Sequence, residues 1–313
     1  MLVMVCRAID CGGNWIANTI IVDQHKKGSF VTIQAAIDSI NNQNKNWVMI
    51  NISPGIYNEK VHIPFEKPCI ILKGWGRNAT TITYNDSFQN MGTSLSASFI
   101  SSPPNVVVSG ITFKNTYGSN GPAVAVNIYG DKSALYECSF IGYQDTLLIT
   151  SGRSYFKNCF IQGEVDFICG EGQSYFENCV INAVQEKGKP IGFVTAQHRN
   201  SPKDSNGFVF RGGSVVGTGN VNLGRPWGPY ARVIFWETYF SSVVTPQGWD
   251  IWNLKPTQER DITFEEVNCR GPGANTKNRV KWEKQPNKLN LYKFTLKSFI
   301  DYDGWLANIP FFR

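Results

Sequence analysis

The chain has 313 residues, 42% of them hydrophobic and 17% charged, the composition of a globular protein with a sizeable core. No apolar run approaches the roughly eighteen residues that a membrane-spanning helix needs, and no Pro/Ser-rich linker or block of charge divides the chain, so one domain is expected. A net charge of +6 suits either an anionic partner or a mildly basic enzyme; the lysines and arginines are scattered and make no nucleic-acid-binding stripe.

Residues 1–18 begin with a short apolar stretch but lack a clear charged region or small-residue cleavage site. They read either as a truncated or degenerate leader or as no leader at all, with the folded domain at 19–313. A short strand is expected at 19–23 and a helix at 32–40. There Ile33, Ala36, Ile37 and Ile40 share one face, Thr32 is the N-cap, and the helix would lie as a lid on an open end. Strands follow at 47–52 and 69–72. The next segment, Gly74-Trp-Gly-Arg-Asn-Ala79, matches a dinucleotide fingerprint, but the strand-like Thr80–Tyr84 comes after it where a helix would be needed, so it reads as a turn between coils.

From 106 to 264 the pattern is strand, turn, strand, with no helix between, which excludes a doubly wound fold. Within it one stretch repeats. Phe140-Ile141 is followed by Asp145, and Phe160-Ile161, twenty residues on, by Asp166; Phe176, Asn178, Cys179 and Ile181 continue the period without an aspartate. Such repeats of short β-runs favour a parallel β-solenoid over a propeller or a sandwich; in a solenoid equivalent residues stack at roughly 4.8 Å and Asp145 and Asp166 become neighbours. Asn158 and Asn178 suit either an inward ladder or two surface turns. The aromatic, charged segment at 299–312 is expected to pack back over the coils.

The eight cysteines show neither a disulfide framework nor zinc spacing; Cys159 and Cys179 stack as buried thiols, and Cys69, Cys138 and Cys169 are also read as core thiols. Sequons at Asn51, Asn78 and Asn85 are compatible with a secreted glycoprotein. Only three histidines occur, none near the repeats, and no nucleophile elbow or HExxH motif is present. Acid–base work would therefore fall to carboxylates. Two adjacent aspartates cannot ionise equally, so one would become the acid and the other would need a cation, for which Arg225 in Leu223-Gly-Arg-Pro-Trp227 is the candidate.

G-x-Y-x-E at 55–59, GYQDTL at 142–147, G-x-V-D-F-I-x-G at 163–170 and LGRPW at 223–227, in this order, resemble the signatures of plant-type pectin methylesterases, and the likeness runs over residues 23–311. The resemblance implies a single-stranded right-handed parallel β-helix and hydrolysis of galacturonate methyl esters in methylated homogalacturonan, without cofactor or metal. It implies a secreted, monomeric cell-wall enzyme that a proteinaceous inhibitor could bind, with no nucleic-acid or membrane partner. It makes Asp166 the nucleophile, Asp145 the general acid and then base, Gln144 an oxyanion donor, Arg225 the partner of Asp166, and Trp227 and Trp249 the aromatic lining of the sugar cleft.

One departure stands out. The family carries a glutamine, a second oxyanion donor, where this chain has Pro122, and losing such a donor typically costs about 10²–10³ in rate. Asn120 could lend an amide in its place. Glu164 adds a carboxylate beside Asp166, although its position in the strand suggests the opposite face. A pectin-binding homologue with weak or lost catalysis is therefore kept beside the esterase. A calcium-dependent lyase or a glycoside hydrolase on the same fold is the third reading.

Overall fold

The computed structural model describes residues 11–185, 188–284 and 290–310. The chain winds into a right-handed parallel β-helix whose coils each contribute a strand to three parallel sheets of ten, eight and seven strands, here sheets A, B and C. Strand partners follow the repeat: Phe156 lies beside Phe176 in sheet A, Phe140 beside Ile161 in sheet B, and Leu147 beside Ile168 in sheet C.

Alternation along each strand sends one set of side chains inward. The interior is a column of stacked rings in which Phe156, Phe176, Phe210 and Phe235 follow one another with centroids 4.6, 4.4 and 4.4 Å apart. These distances match the coil rise, so the repeat aligns identical aromatics for offset stacking. The buried thiols of Cys138, Cys159 and Cys179 belong to the same core.

The coils turn sharply between sheets A and B on residues with left-handed backbone: Glu137, Asn158, Asn178, Gly212, Glu237 and Asn268, at φ between 50° and 66°. Asn158 and Asn178 are exposed, so they are surface turn residues and build no inward ladder. Asparagine tolerates this conformation better than most residues, which explains its recurrence.

The two ends of the chain pack differently. Helix α1 (Ile33–Asp38), capped by the Thr32 hydroxyl on Ala35 N–H, buries Ile33, Ala36 and Ile37 against the first coils. The first strand, Ile16–Val22, begins three residues before its expected start and pairs with Trp47–Ile52. Cys69 corrects the reading of core thiols, because it is disulfide-bonded to Cys11 across 58 residues. The C-terminal segment lies instead along the side of the solenoid, where Phe299, Ile300, Trp305 and Ile309 cover the outer face of sheet A over Tyr155 and Tyr175. Arg153 ties this segment down through Ile300 O at 3.3 Å and Asp303 at 2.8 Å.

The turn at Gly74–Ala79 leads directly into the strand Thr80–Tyr84. It therefore offers no helix N-terminus to a phosphate.

Candidate active site

Asp145 and Asp166 occupy equivalent corners of successive coils where sheet B passes into sheet C. Asp145 N–H donates to Val165 O at 3.1 Å and Leu147 N–H to Phe167 O at 2.9 Å, which fixes the stacking register. Both aspartates are left-handed, with φ of 60° and 50°. A non-glycine residue held there costs on the order of 1–3 kcal/mol, a strain that aspartate bears better than most and that is concentrated at functional sites.

The glycine three residues before each aspartate belongs to the same corner. A Cβ on Gly142 would lie 2.7 Å from Thr146 Oγ1, and one on Gly163 would lie 2.1 Å from Phe167 Cβ. The G-x-x-D spacing is thus a packing requirement of the turn that presents each carboxylate.

Arg225 reaches Asp166 from the strand Val221–Pro226. Its Nε donates to Oδ1 at 2.8 Å and its Nη2 to Oδ2 at 2.5 Å, a bidentate fork. The guanidinium is flanked by Trp252, 3.8 Å from the ring centroid, and by Phe193 at 4.2 Å, so its plane is held by aromatic faces.

Burial raises the carboxyl of Asp166 while Arg225 pulls it back. Burial also raises Asp145, the negative charge of Asp166 raises it further, and Arg225 opposes both, leaving Asp145 at about 7. The pair is therefore asymmetric, because the carboxylate with the cation ionises first and its charge keeps the proton on the other.

A cleft of about 480 Å³ opens over these groups on the outer face of sheet C, lined by Gln144, Asp145, Asp166, Arg225 and Trp227 among others. Four predicted catalytic residues and one aromatic thus come together. Trp249 does not: it is fully buried, its ring stacked 4.6 Å from that of Phe264, so it is a core residue and presents no face to a ligand. The cleft aromatic on that side is Trp252, three positions later.

Pro122 stacks on Gln144 in a parallel bridge, and its carbonyl accepts from Phe88 N–H at 3.1 Å. A side chain at position 122 would be the neighbour of the Gln144 amide, and proline leaves that neighbour without a donor. Asn120 supplies none, since it is exposed and does not line the cleft. Glu164 is buried outside the cleft lining, in keeping with its expected face.

Sequence reasoning missed Thr93 and Ser94, whose segment forms part of the cleft wall, and the Glu171–His198 pair, joined at 2.8 Å. The His198 ring lies 5.1 Å from that of Trp227, so a histidine does stand at the edge of the site. The strand register that carries Gly170 to Gln197 is what brings Glu171 beside His198.

The family model described as Pectinesterase matches residues 19–303. "Probable pectinesterase 29" of Arabidopsis thaliana is 44% identical over 93% of this chain and 89% of its own length, and "Pectinesterase QRT1" of the same plant is 37% identical over 93% and 79%. Among solved structures, a pectin methylesterase from carrot superposes with a TM-score of 0.87 at 31% identity, covering 92% of this chain and 94% of that one. The family model, the relatives and the carrot structure each match nearly the whole of the chain, and the chain belongs to the pectinesterase family.

Proposed function

We propose that the protein hydrolyses methyl esters of galacturonate units in pectin, releasing methanol and pectate, with Asp166 as nucleophile. The observation that carries this reading is the asymmetric pair: one buried carboxylate forked by Arg225, the other unpaired and raised to about 7, in the same cleft as the Gln144 amide.

In the first step an Asp166 oxygen attacks the ester carbonyl carbon, and its oxygen becomes an oxyanion to which Gln144 donates. The C–OCH₃ bond breaks as Asp145 gives its proton to the departing methoxide, so methanol leaves and an acyl–aspartate remains. Asp145, now a carboxylate, takes a proton from water. The resulting hydroxide adds to the acyl carbon, Asp166 departs, and the product is a galacturonate carboxyl group. Trp227, half exposed at the cleft, offers a flat face to a sugar ring.

A secreted, extracellular setting in the cell wall fits the Cys11–Cys69 disulfide, since such bonds persist in oxidising compartments. The sequons at Asn78 and Asn85 lie on exposed residues, where a glycan could be attached, whereas Asn51 sits within the strand Trp47–Ile52. An inhibitor protein as partner and a monomeric state complete the reading.

The test is a methanol-release assay on highly methylated pectin with Asp166→Ala as control. Robust release by that variant would rule out the proposed nucleophile. The second reading, a pectin-binding homologue with weak catalysis, is favoured specifically by Pro122. If the missing donor limits turnover, Pro122→Gln raises it about tenfold or more; near-zero turnover with intact pectin binding supports the non-catalytic reading.

A further inference from the structure

The lining of the cleft contains acids, apolar groups and a single cation that is already engaged. Asp145, Asp166 and Glu171 carry its carboxyl groups, and among the described residues lining it Arg225 is the one basic side chain. The charge of Arg225 is already matched by the carboxylate of Asp166. Phe193 and Trp252 lie 4.2 and 3.8 Å from the guanidinium carbon of Arg225.

Next to it runs an apolar strip set by strand register, in which Leu148 pairs with Cys169, Cys169 with Ala196, and Ala196 with Arg225. Cys169 lies near enough to the reacting carboxyls for the charges of Asp145 and Asp166, after burial, to push its thiol well above its ordinary value. The thiol is therefore a small apolar surface there, and a poor nucleophile.

At the next position Glu171 is half exposed and paired with His198 at 2.8 Å. Protonated, His198 would at most cancel Glu171, and neutral, it leaves the acid uncompensated. In neither state does the pair supply a surplus positive charge.

On the esterase reading, the substrate is a polymer whose units are neutral as methyl esters and anionic once hydrolysed. We infer that the cleft selects methyl-esterified units flanking the attacked one and rejects de-esterified neighbours, with Glu171 as the specificity-determining residue. A free galacturonate carboxylate would lose hydration over the Leu148–Cys169–Ala196 strip with no surplus positive charge to compensate, and would meet a like charge at Glu171 whenever His198 is neutral; a methyl ester meets neither penalty. The enzyme therefore works on fully esterified runs and slows as its own product accumulates around the site. The basic groups that give the chain its net charge of +6 can draw a polyanion to the molecule as a whole. Arg77 and Lys114, for example, line a groove on the outer face of sheet B, away from the cleft. Attraction and selection are thus separated in space.

The test compares methanol release, as kcat/KM per ester, from a fully methylated hexagalacturonate and from one esterified on alternate units. The wild type is expected to favour the first by about tenfold, the equivalent of one close like-charge contact of about 1.4 kcal/mol. Glu171→Gln is expected to narrow the ratio by about threefold, since the side chain is half in solvent, and Glu171→Lys to narrow it further. Inhibition by unesterified hexagalacturonate, weak in the wild type, becomes stronger in Glu171→Lys. Equal rates on the two substrates, strong inhibition of the wild type, or a ratio unmoved by both substitutions would overturn the inference. Absence of methanol from either substrate would instead remove the esterase reading on which it rests.

Discussion

Two places in this molecule contain nearly the same set of groups. At the cleft, Arg225 forks onto Asp166 and a second acid, Asp145, is raised to about 7. At the C-terminal end of the coils, Arg279 forks onto Glu266 at 2.5 and 3.0 Å, and a second acid, Glu283, is raised to about 8 by burial, by the charge of Glu266 and by a hydrogen bond to it, with Arg279 opposing. Only access and spare valence differ. The side chains of Arg279 and Glu266 are 3% and 2% exposed, against 18% and 7% for Arg225 and Asp166. The remaining donors of Arg279 go to the carbonyls of Thr245, Pro246 and Gly273, which pins two loop segments to its own. Two acids and an arginine are thus an anchor when every donor is consumed internally. They become a reactive centre when one acid faces a cleft beside an amide such as Gln144.

The comparison can be broken most severely at the two forked acids. Asp166→Ala is expected to lower methanol release by about 10³ or more while the thermal midpoint stays within a few degrees. Glu266→Ala should do the reverse: it strands a buried guanidinium, costing about 3–5 kcal/mol, so that the midpoint falls while kcat of the folded fraction is retained. Loss of activity in both, or of stability in both, would erase the distinction. Pro122→Gln comes next, with turnover rising about tenfold or more by the methanol assay.

The raised acids give the smaller effects, readable against pH. Asp145 must be protonated to release methanol, so kcat should decline as pH rises through about 7. Asp166 must be ionised, and since its carboxyl lies above the ordinary value, the acid limb falls above pH 3.8. Glu283 has a folded value of about 8 against an ordinary 4.5, so the native state binds the extra proton between these limits. Stability linked to Glu283 is full below about 4.5 and is lost as pH rises through about 8. Glu283→Gln should therefore flatten the fall of the melting temperature over that window without moving the pH–rate profile.

The repeat was legible because a solenoid writes its geometry into the chain. Phe156 and Phe176 are twenty apart in sequence and 4.6 Å apart in space, and the same repeat, one residue longer at the corner, delivered Asp145 and Asp166 as a pair. The left-handed corner that aims them could be read only indirectly, from Gly142 and Gly163. What failed depended on segments without a period. Trp249 and Trp252 are three residues apart in one loop, and nothing local says which faces the core. The bond between Cys11 and Cys69 spans 58 residues with no spacing signature. Glu171 and His198 are 27 residues apart, off the repeat of twenty, so their proximity belongs to the register of sheet C.

The Cys11–Cys69 bond has a consequence for how the molecule comes apart. A solenoid is held by contacts between successive coils only, so it can unzip from an end, and the terminal coil, with a neighbour on one side, is the weakest link. Joining residue 11 to the strand two coils in closes a loop of 58 residues, worth about 4 kcal/mol in the chain-entropy picture. With the bond formed, fraying from the N-terminal end cannot proceed coil by coil, because the first coil cannot leave without the next. Reduction would turn one cooperative unit into a stack that peels from that end, and the catalytic corners would be reached only after the intervening coils had come away.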